Sequence, residues 1–174
     1  MRGVVSAGMV SALESLELTH AFDAVYGSSA GAINAAYFLA GQAALGTTIY
    51  SEDINNRSFI DMRRAVGAKP IVDLSFLLDD VAHRRKPLDY ARVLAARAPL
   101  TVVATDVATG ERAALGPFTT PADLRSALRA SATMPIFRSR FPAPNRARYQ
   151  RVSALSGCHR TQLHASCTIT VCSR

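Results

Sequence analysis

The pattern of apolar and polar positions predicts a series of helices interrupted by few strands. From Val4 to Leu18 the apolar positions Val4, Val5, Met9, Val10, Leu13 and Leu16 recur at helical spacing, with Gly3 just ahead. Phe22–Tyr26 is a short apolar run closing on Gly27, which predicts a buried strand. Ala30–Ala40 is alanine-rich and meets no breaker before Gly41, which predicts a second, buried helix. The expected order is helix, strand, tight turn, helix.

Residues 47–100 mix polar patches with short amphipathic stretches, Leu74–Ala82 and Tyr90–Ala96, and are expected to be mostly helical. Leu100–Thr105 is a β-branched run and predicts a central strand, followed by a turn at Ala108-Thr109-Gly110 and a returning strand, Arg112–Leu115. Thr120 as N-cap and Pro121 at the first helical position open a helix over Pro121–Ala130. Helices alternating with strands predict an α/β layer fold around a mainly parallel sheet. No apolar stretch is long enough for a spanning helix. Residues 1–13 imitate a leader, but Glu14 and Glu17 stand where a cleavage site would lie, so a mature cytoplasmic protein is expected.

A chain of 174 residues, 49% hydrophobic, suffices for one compact domain with a real core. Its formal charge of +7 suggests a nucleic-acid partner until the distribution is examined. Residues 1–123 hold 11 basic and all 13 acidic residues, whereas residues 124–174 hold nine arginines and no acid. The basicity belongs to the tail, which lacks interleaved aromatics, so no nucleic-acid partner is expected. All three cysteines lie there as well. A zinc site can be drawn from Cys158, His159, His164, Cys167 and Cys172, but the spacing matches no standard ligand pattern, and neither metal nor cofactor is expected.

The chemistry-bearing segment is Gly27-Ser28-Ser29-Ala30-Gly31, a GxSxG pattern between a predicted strand and a predicted helix. A serine there occupies a tight turn that needs small neighbours, and the helix that follows offers its first amides to an oxyanion. Ser29 is the candidate nucleophile and the Ala30 N–H the natural first oxyanion donor. Ser28 is a competing hydroxyl, but only Ser29 has glycines at both offsets. The bland alternative is an ordinary strand-to-helix turn. A conventional Ser-His-Asp triad is a further alternative, yet only 28 residues precede Ser29, and none of His83, His159 and His164 fits as the third member.

The runs MRGVVSAGMVSALESL, VYGSSAGAINAAYFLAG, VVATDVATGE and LRSALRASATMPIF together resemble the patatin-like phospholipases, in that order, over about residues 1–138. The resemblance implies a three-layer α/β/α fold, incomplete at both ends, and a Ser–Asp dyad that cleaves lipid acyl esters. It makes Ser29 the nucleophile. It also implies a glycine-rich oxyanion loop ending at Met1-Arg2-Gly3, with Gly3 joining Ala30 and the loop's first glycines upstream of residue 1. The dyad aspartate belongs in an Asp-Gly-Gly or Asp-Gly-Ala turn after the MPIF segment. No aspartate follows Asp123, so no dyad aspartate is assigned, and Asp106 reads as a turn former. The expectation is a lipid acyl hydrolase with impaired turnover, meeting a lipid or acyl-ester substrate at a membrane surface. The alternative is an inactive pseudoenzyme or a basic-tailed surface binder. Residues 139–174 read as a foreign or frame-altered tail, expected to be poorly ordered.

Overall fold

A computed structural model describes residues 3–61, 63–64, 71–106, 109–133, 152–153 and 169–172. Helix α1 spans Gly3–Ser15, and a 3₁₀ turn at Leu18–His20 leads to strand β1, Ala24–Ser28. Helix α2, Ala30–Leu39, starts one residue after Ser29, and α3, Ala43–Thr48, follows. Two π-helical segments, Ile49–Asp53 and Phe76–Arg85, precede α4, Tyr90–Ala95. Strands β2, Leu100–Asp106, and β3, Arg112–Leu115, lead to helix α5, Pro121–Ala132. Two short strands, β4 (Val152–Ser153) and β5 (Ile169–Cys172), fall in the tail.

The reason α2 is central is compositional. Its residues 31–39 are all buried, and Gly31, Ala32, Ala35 and Ala36 among them let neighbouring elements approach closely. The large side chains Tyr37, Phe38 and Leu39 fill the core. The Tyr37 hydroxyl donates to the Lys86 carbonyl at 2.6 Å, and the Phe38 ring meets Phe22 at 6.1 Å. Helices cover the sheet face bearing Val25, Gly27, Leu100, Val102 and Ala104, all of them buried. The opposite face is more open, with Tyr26 39% exposed. The α/β class is as expected.

The strand directions correct one expectation. The β1–β2 pair is parallel, Val25 facing Leu100 and Ser28 facing Val103. The other described pairings, β2–β3, β2–β4 and β1–β5, are antiparallel, so this sheet is mixed instead of mainly parallel. The link from β2 to β3 is too short for a crossover and forces a hairpin. The first strand also begins two residues late, at Ala24. Phe22 is spent on the aromatic contact with Phe38, and the Asp23 N–H donates to Cys172.

Thr105 faces Arg112 of β3 on one side and Ser153 of β4 on the other. A strand has two edges, so β4 lies on the β1 edge of β2, just beyond the level where β1 ends at Ser28. Two pieces of the 139–174 segment thus join the sheet, and the rest of that segment lies outside the described residues.

Candidate active site

Ser29 occupies the corner between β1 and α2 with φ 55° and ψ −128°. Backbone in this region costs a non-glycine residue of order 1–3 kcal/mol and persists only where the surroundings impose it. A serine before a helix ordinarily serves as N-cap, accepting an amide with its hydroxyl from extended backbone. Ser29 does neither: its side chain makes no capping bond, and it is half-buried at the end of the sheet. Its carbonyl accepts the Ala32 N–H at 3.0 Å, which starts the helix directly from the corner.

The flanking motif positions follow from close approach. A Cβ at Gly27 would lie 2.5 Å from the Ala32 Cα and 2.8 Å from the Ala32 nitrogen, so α2 crosses β1 where only hydrogen fits. Gly31 is buried in the first turn of α2. Ala30 and Gly31 hold the first two helical positions, whose amides have no acceptor within the helix. Ser28 ends β1 in register with Val103.

The start of α1 is brought to the same place. A Cβ on Gly3 would lie 2.9 Å from the Ala30 Cβ and 2.7 Å from the Tyr50 hydroxyl, so the two expected oxyanion positions are neighbours. Asn34 ties them together: its Nδ2 donates to the Gly3 carbonyl and to Ser6 Oγ, each at 2.9 Å, and its Oδ1 accepts the Tyr50 hydroxyl at 2.9 Å. Asn34, a polar interruption in the apolar run of α2, is 3% exposed and fully employed. Its isolation in that run was the available signal of its importance.

Ser131, in the last turn of α5, is the other residue that sequence reasoning missed. Its fully buried hydroxyl accepts the Ser29 N–H at 2.8 Å and donates to the Val103 carbonyl at 2.7 Å. Helix α5 is held in turn by Asp79, whose Oδ1 accepts from both Arg125 and Arg129 at 2.5 Å. Partial burial pushes the Asp79 carboxyl up, but the hydrogen bonds and charges of the two guanidinium groups outweigh it and hold the carboxyl below its ordinary range.

The remaining candidates fall elsewhere. His83 is exposed on the second π-helical segment. Asp106 lies at the Ser29 end of the sheet, three residues past the level of Ser28. There its Oδ1 accepts the Thr109 N–H at 3.3 Å and its carbonyl the Gly110 N–H at 2.8 Å, as a turn former does. Among the described residues no acid or histidine hydrogen-bonds the Ser29 side chain. Cys172 is an exposed free thiol on β5, and Cys158, His159, His164 and Cys167 lie outside the described residues.

Fold and site together define an α/β protein that presents a strained serine at a strand-to-helix corner, beside amides that have no acceptor within their own helix. The family model that matches this chain, over residues 1–152, is that of the patatin-like phospholipases. The chain belongs to that family, whose common activity is hydrolysis of lipid acyl groups. The match extends past residue 138 to the first residue of β4. A comparison with curated proteins finds none that matches.

Proposed function

We propose that this chain is a serine-dependent lipid acyl hydrolase in which Ser29 is the nucleophile. The observation that carries the reading is the Ser29 backbone at φ 55° and ψ −128° with its hydroxyl uncommitted to the helix cap. Such strain has no structural return at an ordinary turn, whereas at a nucleophile elbow it serves to expose the hydroxyl at the sheet end. In this reading Ser29 Oγ bonds to the acyl carbonyl carbon as its proton passes to a base. The carbonyl oxygen becomes an oxyanion facing the Ala30 N–H and the start of α1 at Gly3. Collapse expels the alcohol, and water then releases the acyl group from Ser29.

A serine hydroxyl is a weak nucleophile until a positioned base takes its proton. Among the described residues the Asp106 carboxylate is engaged in its turn and no carboxylate hydrogen-bonds the Ser29 hydroxyl, so the reading includes low turnover. Substrate would arrive from a lipid surface. Val5 and Met9 stand out from α1 at 67% and 64% exposure, with Leu16 just past its end at 67%, on the helix that begins beside Ala30.

The test is a fluorophosphonate probe, with the modified residue found by mass spectrometry, alongside turnover of a short-chain p-nitrophenyl ester. Labelling is expected at Ser29 and is lost in Ser29→Ala, with marginal ester turnover. Labelling at Ser28 or nowhere overturns the nucleophile assignment. Robust Ser29-dependent turnover overturns the impairment and makes Asp106 the first candidate base.

A further inference from the structure

We propose that Ser131 is a positioning residue whose hydroxyl is spliced into the β1–β2 ladder as a substitute rung, and that this splice creates the corner at Ser29. The inference rests on the reading of Ser29 as nucleophile and adds to it the device that holds it in place.

The argument starts from ladder geometry. The Val25 N–H donates to the Pro99 carbonyl at 3.1 Å, with Val25 facing Leu100. In a parallel pair such rungs recur at every second residue of the donating strand. A straight continuation would take the Ser29 N–H directly onto the Val103 carbonyl. These are the two groups that the Ser131 hydroxyl joins instead, at 2.8 Å to the nitrogen and 2.7 Å to the oxygen. One oxygen atom is interposed where a direct bond belongs. Both backbone groups remain satisfied, so β1 can part from β2 at this level without leaving a buried donor or acceptor unmet.

The separation has a chemical use. A strand that zipped one rung further would hold Ser29 extended, its hydroxyl alternating onto a sheet face. With the hydroxyl of Ser131 in the gap, Ser29 turns to positive φ and α2 begins at the next residue. The splice also occupies the Ser29 N–H, which leaves the amides of Ala30 and Gly31 as the donors of this corner with no acceptor among the described residues. Ser131 reaches the gap because Thr133 closes α5 just beyond it, donating both its N–H and its hydroxyl to the Arg129 carbonyl, at 3.0 and 2.7 Å. Fully buried, Ser131 itself touches no substrate.

The hypothesis predicts a split between folding and reactivity. In Ser131→Ala the ladder can close directly, so the protein stays folded while the corner relaxes into strand. Fluorophosphonate labelling, in which a Ser29 Oγ–phosphorus bond forms and fluoride leaves, should slow about 10- to 100-fold in its chemical step with probe binding unchanged. The Ser29 backbone NMR shifts should move to strand values. Ser131→Thr, which keeps the hydroxyl, should stay within a few-fold of the unmodified chain and keep its shifts. Ser131→Cys fills nearly the same volume with a poor hydrogen-bonding group, so it should also label slowly, and it carries both readouts if the alanine variant does not fold. Labelling of Ser131→Ala or Ser131→Cys at the unmodified rate, or unmoved Ser29 shifts, overturns the proposal. A chain whose Ser29 never labels overturns the nucleophile reading alone, and the Ser29 shifts in the alanine variant then decide the rung.

Discussion

Two glycines show how much a single Cβ decides. Gly27→Ala would drive its methyl to 2.5 Å from the Ala32 Cα, a backbone atom with nowhere to go. The expected loss is on the order of 3 kcal/mol, seen as an earlier urea midpoint. Gly8, in the middle of α1, has no atom within 4 Å of its would-be Cβ, so Gly8→Ala should stabilise by about 0.5–1 kcal/mol in the same measurement. A neutral Gly27→Ala would mean that α2 does not cross β1 there. The glycines and Ser29 were legible because a GxSxG pattern is local. Ser131 was not, because its partner lies 102 positions away and nothing near residue 131 encodes that meeting.

Helix α5 is positioned by charge as much as by apolar packing, and the ion-pair members differ in burial. The side chain of Arg129 is 9% exposed and that of Arg125 34%, and both depend on Asp79. Among the described residues, Asp79→Ala leaves Arg129 buried with only Ser75 Oγ at 3.2 Å. The expected cost is about 2 kcal/mol, reduced from the value for a fully buried pair because Asp79 is itself part-exposed. Arg125→Ala leaves the buried pair intact and should cost under about 1 kcal/mol. Equal losses in thermal unfolding would refute this ranking. At this scale most elements could be read in advance. The cap of α5 is the Thr120 hydroxyl accepting the Asp123 N–H, and Arg112–Leu115 is the returning strand. Local signals set these. Strand β5 does carry a β-branched run, Ile169-Thr170-Val171, which sequence reasoning passed over, and β4 carries none; the place of both comes from pairing with β1 and β2.

The whole molecule should fail first at high pH. Burial pushes the Tyr37 and Tyr90 hydroxyls above the ordinary tyrosine value of about 10. Burial would lower Lys86, but Asp53 and Glu52, each with an oxygen 2.7 Å from Nζ, raise it overall. A raised folded pKa keeps the proton bound in the native state after the unfolded chain has released it. The stability from all three groups is therefore complete below about pH 10 and lost as pH rises beyond. Asp79 has the opposite sign: its contribution is present above about pH 4 and lost as pH falls through its depressed value. Melting temperatures taken from pH 8 to 11.5 should decline beyond pH 10, and Tyr37→Phe should flatten that decline. A melting temperature that holds level to pH 11.5 would refute the assignment.

The splice at Ser131 also imposes an order on biosynthesis. Ribosomes deliver the chain from its N-terminus at roughly 5–20 residues per second, so the group that shapes the Ser29 corner is made some 5–20 s after Ser29 itself. Until then β1 and β2 exist without the oxygen atom that parts their ladder. A nascent hydrolase emerging near cellular lipid would thus be chemically silent. Nascent chains stalled before residue 131 enters the fold should react with a fluorophosphonate no faster than Ser29→Ala, whereas chains stalled after α5 has cleared the exit tunnel should react at the rate of the released protein.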